Sequence, residues 1–462
     1  MDRTTDKRSR AIIALLVVAG AALIAALPLV AAAPAGAAPA PGTLLWSKHY
    51  EATGNIEEFY DCAKGPSGGL YVAGVQNAVW GVSGDLVVCK YARSGSRRWA
   101  ETWVSPLFVP SHGTEVAVDR DGDIVVAGEV NNPAGADWLI TKWDPAGTLL
   151  WGVTFDGPAN GGDELIDLAI DRYGNAYACG YVTVFGGGTA MDTVKFRHTN
   201  GSVAWESMYV GPGTQHGASS IIIDSARNTY MCGWSQGQPP GDSDGVIVKT
   251  DAGGTRTWVR RQEAGTNLEN EWYGLCLQDG VLYVAGERGT GPATNVIVGA
   301  YTTANHRKWV RTWDDFNHFA DWPGDVAVDG DGDLYVCGTV DNGGAPNQSG
   351  FLVKWNAHGT RQWDRTYKNG ARYARFDGLA TDGSGNAWVV GTLDTLAGHD
   401  DALVAKYAAS GTRRWLRKWD DGTGSEDRLE ADLLSGSTSL YAVGHADLPP
   451  GNHEGLVLKY RR

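Results

Sequence analysis

Residues 325–367 read DVAVDGDGDLYVCGTVDNGGAPNQSGFLVKWNAHGTRQWDRTY. Residues 325–329 form a short apolar run, and Gly330-Asp331-Gly332-Asp333 reads as a turn into a second run at 334–338. A variable loop leads to a third run at 350–355. Asn356-Ala357-His358-Gly359 then turns the chain into a fourth, residues 360–367, which carries Trp363. Runs rich in Val, Tyr and Trp, bounded by Gly, Asp and Asn, predict antiparallel hairpins. No window of similar length holds a helical apolar period.

The same unit recurs along the chain. Trp46, Trp99, Trp151, Trp205, Trp258, Trp309, Trp363 and Trp415 are spaced by 51 to 54 residues. A glycine closing the second run keeps the same beat at Gly74, Gly128, Gly180, Gly233, Gly286, Gly338, Gly391 and Gly444. Repeats that share a continuous core count as one domain. Four antiparallel strands repeated eight times predict an all-β, eight-bladed β-propeller of four-stranded antiparallel blades. The first strand should be innermost and the tryptophan strand outermost. Residues 43–50 supply only a fourth strand, and the last unit supplies only three. The N-terminal strand is therefore expected to close the last blade and leave no edge unpaired.

Seven of the eight tryptophans have an aromatic residue four positions on, such as Phe155, Trp313 or Tyr367, on the same strand face. Each such ring should wedge between blades and bury about 150–250 Å², or about 4–6 kcal/mol gross. Trp258 has Gln262 instead, which predicts the weakest seam.

The repeated form resembles the bacterial β-propeller repeat family often labelled SBBP, over about residues 43–462. That resemblance implies secreted or surface proteins, mostly without assigned activity, and offers no functional residues to transfer. Asp144-Pro145-Ala146-Gly147-Thr148-Leu149-Leu150-Trp151 is also similar to the tryptophan-docking motif of quinoprotein propellers, which reports blade packing. Quinoprotein dehydrogenases hold a quinone and calcium over the channel and often carry a vicinal disulfide. This sequence has no adjacent cysteine pair and lacks the long insertions that build such a site.

Residues 1–37 carry a basic start, an apolar run from Ala11 to Ala33 and a small-residue tail, the parts of a secretory signal peptide. Residues 38–42 read as a short linker, and 43–462 as the propeller. The competing reading is an uncleaved anchor, since the apolar run could span a bilayer. Cleavage before Ala38 removes four basic and two acidic groups and takes the formal charge from −14 to −16. An acidic chain is a poor partner for nucleic acid, whose binding rests on Lys and Arg. No membrane association is expected after cleavage. The six cysteines lie in apolar strand patterns, where other units have Ala or Val, and read as small buried hydrophobes.

Several motifs have bland readings. Gly233-Trp234-Ser235-Gln236-Gly237 matches the nucleophile elbow of serine hydrolases, which needs a strand-to-helix turn, but Pro239-Pro240 stands where the helix should start. The Asp119–Asp123 and Asp329–Asp333 turns alternate like calcium loops but lack the closing acid. They read as hairpin turns.

The segments before each innermost strand gather acids, histidines and aromatics. Glu58, His112, Glu164, His216, Glu271, Trp272, His318, Asp321, Trp322 and Asp377 are the candidate ligand-binding residues, expected to circle one mouth of the channel. The competing reading is a solvated loop rim whose aromatics cap the core. No catalytic set, metal site or cofactor is expected. The sequence points to a secreted (extracellular or periplasmic), monomeric, non-catalytic binding or scaffolding module for a glycan, peptide or surface protein. The alternative is an extracellular propeller enzyme, either a polysaccharide lyase or hydrolase or a quinone-dependent dehydrogenase. Recovered from its host's culture fluid, the protein should have the mass of residues 38–462; an intact N-terminus in the membrane fraction would contradict cleavage.

Overall fold

The computed structural model describes residues 38–462 except 53–55, 80–82, 108, 238–241, 264, 266–267, 290–293, 316–318, 344–346, 369, 371, 396–398, 423–425, 436–437 and 449–451. The expected signal peptide and His318 lie outside the described residues. Among the described residues there are 32 strands, and no helix is long and apolar enough to cross a membrane.

The chain is an all-β propeller with four-stranded antiparallel blades. The quoted unit forms the strands Asp321–Val328, Leu334–Asp341, Gln348–Trp355 and Arg361–Tyr367, each antiparallel to the next. Four sheets have four strands, and two have eight. Each eight-stranded sheet is joined across its middle by one parallel residue pair, Ser243 with Glu269 or Ile56 with His453. The first strands of successive units pack side by side, and Asp427–Ser435 of the last unit packs against Ile56–Lys64 of the first.

The repeat glycine has a specific cause. In every unit the first strand carries one extra residue just after the residue paired with that glycine. This β-bulge bends the strand and drives a carbonyl toward the second strand. A Cβ on the eight glycines would lie 1.7–2.2 Å from that carbonyl oxygen, for example 1.7 Å from Glu271 O at Gly286 and 2.2 Å from Arg375 O at Gly391. None of the eight needs a left-handed backbone. Close approach alone excludes a side chain.

The docking tryptophans join each unit to the next. Trp99 Nε1 donates to Pro145 O at 3.3 Å, Trp151 to His198 O at 2.9 Å and Trp363 to Ala409 O at 2.8 Å. A turn glycine of the next unit lies flat on the indole: Gly147 on Trp99, Gly201 on Trp151, Gly411 on Trp363. These glycines have φ of 96°, 71° and 78°, so the left-handed turn needs glycine as well. Over Trp258 the turn residue is Asn305, with φ 71°, held by Arg260 Nε on its side-chain oxygen at 2.8 Å.

Ring closure repeats the glycine-on-indole packing, but Trp415 Nε1 is buried without a hydrogen-bond partner. Leu44–Tyr50 pairs antiparallel with Asn452–Arg461, setting Trp46 opposite Lys459 as Trp99 sits opposite Lys90. Gly42 (φ 77°) covers the Trp415 ring, and Arg417 Nε donates to Gly42 O at 2.9 Å. Arg365 makes the same bond to Gly411 O at 2.8 Å.

The seam aromatics wedge as expected. Trp313 meets Phe351 of the next unit at 4.6 Å between ring centroids, and Tyr50 meets Phe59 at 5.5 Å. At the seam without an aromatic, Tyr301 donates to Gln262 Oε1 at 3.2 Å. All six cysteines are buried, as the sequence pattern indicates.

Substituting Gly286 by Ala should cost about 3 kcal/mol or more, because the clashing atom is backbone and has nowhere to move. Gly162→Ala, which meets nothing within 4 Å, should stay within about 0.5 kcal/mol. Chemical denaturation of both variants checks this; equal stabilities would contradict the close-approach account.

Candidate functional site

The candidate residues lie inside the first strands and not in loops before them. Asp321–Val328 begins four residues earlier than the sequence pattern indicates, and the other first strands likewise take in their candidates. The bulge allows this, since a strand can bend and continue across it.

Register then sorts the nine described candidates by their distance from the bulged residue. Glu58, His112, Glu164, Glu271 and Trp322 stand two residues before it, and Asp377 is itself the bulged residue. His216 and Asp321 stand three before it, and both are fully buried. Trp272 stands one before it and is also fully buried.

The last three are corrections to the expected rim. Trp272 is an inter-blade wedge: Gly245 of the preceding unit leaves room for its indole, and a Cβ there would lie 2.5 Å from Nε1. Asp321 clamps its own loop by accepting Asp315 N–H at 3.1 Å, as Asp427 accepts Asp421 N–H at 3.1 Å. His216 Nε2 accepts Gly211 N–H at 3.2 Å, while Nδ1 meets Ser235 Oγ at 2.9 Å. This is the serine of the Gly-x-Ser-x-Gly motif. It is fully buried within the strand Thr229–Gln236, and its Oγ accepts from Arg261 Nη1 at 3.1 Å. A buried serine held by a cation is no nucleophile.

The remaining candidates interact from unit to unit. Tyr60 lies edge-on to His112 at 6.4 Å, and its hydroxyl donates to Glu58 Oε2 at 2.6 Å. Tyr181 donates to Glu164 Oε2 at 2.6 Å, and the Tyr273 hydroxyl sits between Glu271 Oε2, at 3.1 Å, and Glu287. Glu129, opposite His112 on the neighbouring strand, is pushed from its ordinary 4.5 up to about 7 by burial and by the Glu164 charge. Burial lowers the His112 pKa against the pull of Glu164. Burial also raises the Asp377 pKa.

Trp322 is 38 % exposed, and among the described residues it is the one exposed tryptophan. It borders a cavity of about 250 Å³ shared with Thr339, Gln348, Arg375 and Asp377. A second cavity of the same volume lies beside the fourth strands, between Trp103 and Asp137, and is walled by Leu107, Val109 and Val130.

Sequence reasoning missed a histidine pair in the last unit. His453 Nδ1 meets Glu58 Oε1 at 2.6 Å, and the His445 and His453 rings stack with centroids 5.0 Å apart. His445 directly follows the repeat glycine Gly444, and His453 is the second residue of the third strand, Asn452–Arg461. Two histidines flanking one hairpin were the available signal.

The calcium-like turns are held internally. Asp119 Oδ1 accepts the N–H groups of Asp121 and Asp123, each at 2.9 Å, and Oδ2 takes Lys142 Nζ at 3.0 Å. A lysine ammonium supplies the positive charge at that turn.

No family model and no curated protein matches this chain. Solved structures do. The quinohemoprotein alcohol dehydrogenase ADHIIG from Pseudomonas putida HK5 is 12 % identical over 91 % of this chain and 76 % of its own, with a TM-score of 0.53. The polysaccharide lyase Uly1 is 12 % identical over 90 % of this chain and 99 % of its own, with a TM-score of 0.51. At such identity the likeness shows the propeller fold alone.

Glu129 sets a pH dependence of stability. Its folded pKa lies above the unfolded value, so its stabilising contribution is complete below about 4.5 and lost as pH rises through about 7. Glu129→Gln should flatten the fall in unfolding midpoint between pH 5 and 8. An unchanged pH profile would contradict the raised pKa.

Proposed function

We propose that this chain is a secreted, monomeric, eight-bladed β-propeller that binds a glycan at one mouth of its channel without turning it over. The eight-blade count is supported by eight bulged first strands in side-by-side contact and by eight-stranded sheets that divide at single bridges. Secretion is supported by the N-terminal sequence pattern.

Trp322 carries the binding reading. An exposed indole beside a small cavity offers a stacking face for a sugar ring, and Arg375, Asp377, Gln348 and Thr339 offer hydrogen bonds to hydroxyls. The cavity volume falls just below the ~300–1,000 Å³ of drug-sized sites, which suits one ring of a longer chain. The surrounding phenol–carboxylate pairs extend the polar surface to neighbouring units. Acidity of the chain disfavours a nucleic-acid partner.

One observation favours an enzyme instead. Glu129, with a pKa near 7, stands opposite a largely neutral His112, a pairing suited to proton transfer. That reading predicts polysaccharide cleavage that fails in both His112→Ala and Glu129→Gln.

Calorimetric titration against a polysaccharide panel tests the primary reading. Trp322→Ala should weaken the best ligand at least tenfold, about 1.4 kcal/mol, while leaving the melting temperature unchanged. Trp272→Ala should instead destabilise the fold by about 3–5 kcal/mol. Full affinity in Trp322→Ala would overturn the proposal.

A further inference from the structure

We propose that Glu58, His445 and His453 bind a divalent transition-metal ion of the zinc class, and that this ion fastens the first unit to the last. The inference does not rest on glycan binding and runs against the sequence expectation of no metal.

One ligand atom from each of the three residues lies within 4.8 Å of the others. Two imidazoles and one carboxylate are a common zinc donor set. Imidazole nitrogen selects borderline ions over calcium or magnesium, which take oxygen.

An independent observation points to a missing ligand. His445 is only 7 % exposed, and its Nδ1 is buried without a hydrogen-bond partner. A buried polar atom left so costs about 1–3 kcal/mol, and a metal ion would satisfy it.

The surroundings match a metal site's outer shell. Asp447 Oδ1 lies 3.3 Å from His453 Nε2 and 3.8 Å from His445 Nε2. With both Nδ1 atoms on the ion, this single carboxylate would orient both rings, as second-shell acids do. Glu58 would ligate through Oε1 while Oε2 keeps the Tyr60 hydroxyl at 2.6 Å. Arg428, opposite His445, has its guanidinium held by Glu426 at 2.6 Å and Asp400 at 3.2 Å.

The ligands come from three strands: Ile56–Lys64 of the first unit, and Ser439–Leu448 and Asn452–Arg461 of the last. The bound ion would reinforce the single parallel pair, Ile56 with His453, that joins them. Metal binding to the folded state alone raises its stability by mass action.

The test uses the untagged full chain, stripped by chelator and titrated with Zn²⁺, Co²⁺ and Ca²⁺. One Zn²⁺ or Co²⁺ per chain, with a rise in melting temperature of several degrees and no response to Ca²⁺, is expected. His445→Ala and His453→Ala should each weaken binding at least tenfold and abolish the thermal gain. Asp447→Asn should weaken it about 10–100-fold. His306→Ala, on an exposed turn, should change nothing. If the ligand variants do not fold, histidine footprinting of the unmutated chain decides, because Zn²⁺ should shield His445 and His453 and leave His306 reactive. Absence of a one-to-one complex, undiminished binding in the ligand variants, or footprinting without protection would overturn the proposal.

Discussion

The structure depends on the close approach of a bulged first strand to a glycine of the second. The extra residue pushes one carbonyl to where a Cβ would otherwise stand, so no other amino acid serves at the eight repeat positions. The bulge also sets the direction of every side chain nearby. The residue before it becomes a wedge in the seam, as Phe59, Trp272 and Phe376 do. The residue after it can reach the neighbouring unit. Asp61 accepts Val116 N–H at 2.9 Å, Asp167 accepts Ile221 N–H at 2.8 Å and Asp325 accepts Leu379 N–H at 2.8 Å. One backbone irregularity therefore places the wedges, the inter-strand carboxylates and the candidate binding residues.

The outer edge is held differently. Six of the eight docking tryptophans lie between a tyrosine of their own unit and a turn of the next, as Trp363 does between Tyr335 and Gly411, while Val125 and Trp388 stand in that place for Trp151 and Trp415. The chain ends keep the ring contacts, with Gly42 on Trp415 and Trp46 against Tyr441, but Trp415 Nε1 makes no hydrogen bond to the turn it docks on. The pairing of Leu44–Tyr50 with Asn452–Arg461 and the Arg417 bond to Gly42 O hold the turn of the closing seam without that indole bond. The Glu58–His453 contact adds polar cross-linking at the inner end of that same seam.

Much of the fold was legible because period, glycine and tryptophan report backbone geometry directly. Gly74 through Gly444 mark the second strands, and the Asp-x-x-Gly-x-x-x-Trp spacing marks the docking turns. The site was less legible. A bulge breaks the simple alternation of a strand, so His216, Trp272 and Asp321 looked equivalent to Glu58 and His112 but turn into the protein. His445 and His453 meet Glu58 only through ring closure, across about the whole length of the chain. Neither periodicity nor local spacing encodes that encounter. The Ser235–His216 contact shows the converse: a matching motif and a real hydrogen bond, sealed in the core beside Arg261.

The central claim is that the N-terminal strand completes the last blade and closes the ring. Hydrogen–deuterium exchange of Leu44–Tyr50, followed by mass spectrometry on the intact protein, tests it most directly. The account predicts protection on the timescale of the other outer strands, Arg97–Trp103 and Arg413–Trp419. Exchange as fast as an unstructured tail would leave the last blade three-stranded and contradict closure.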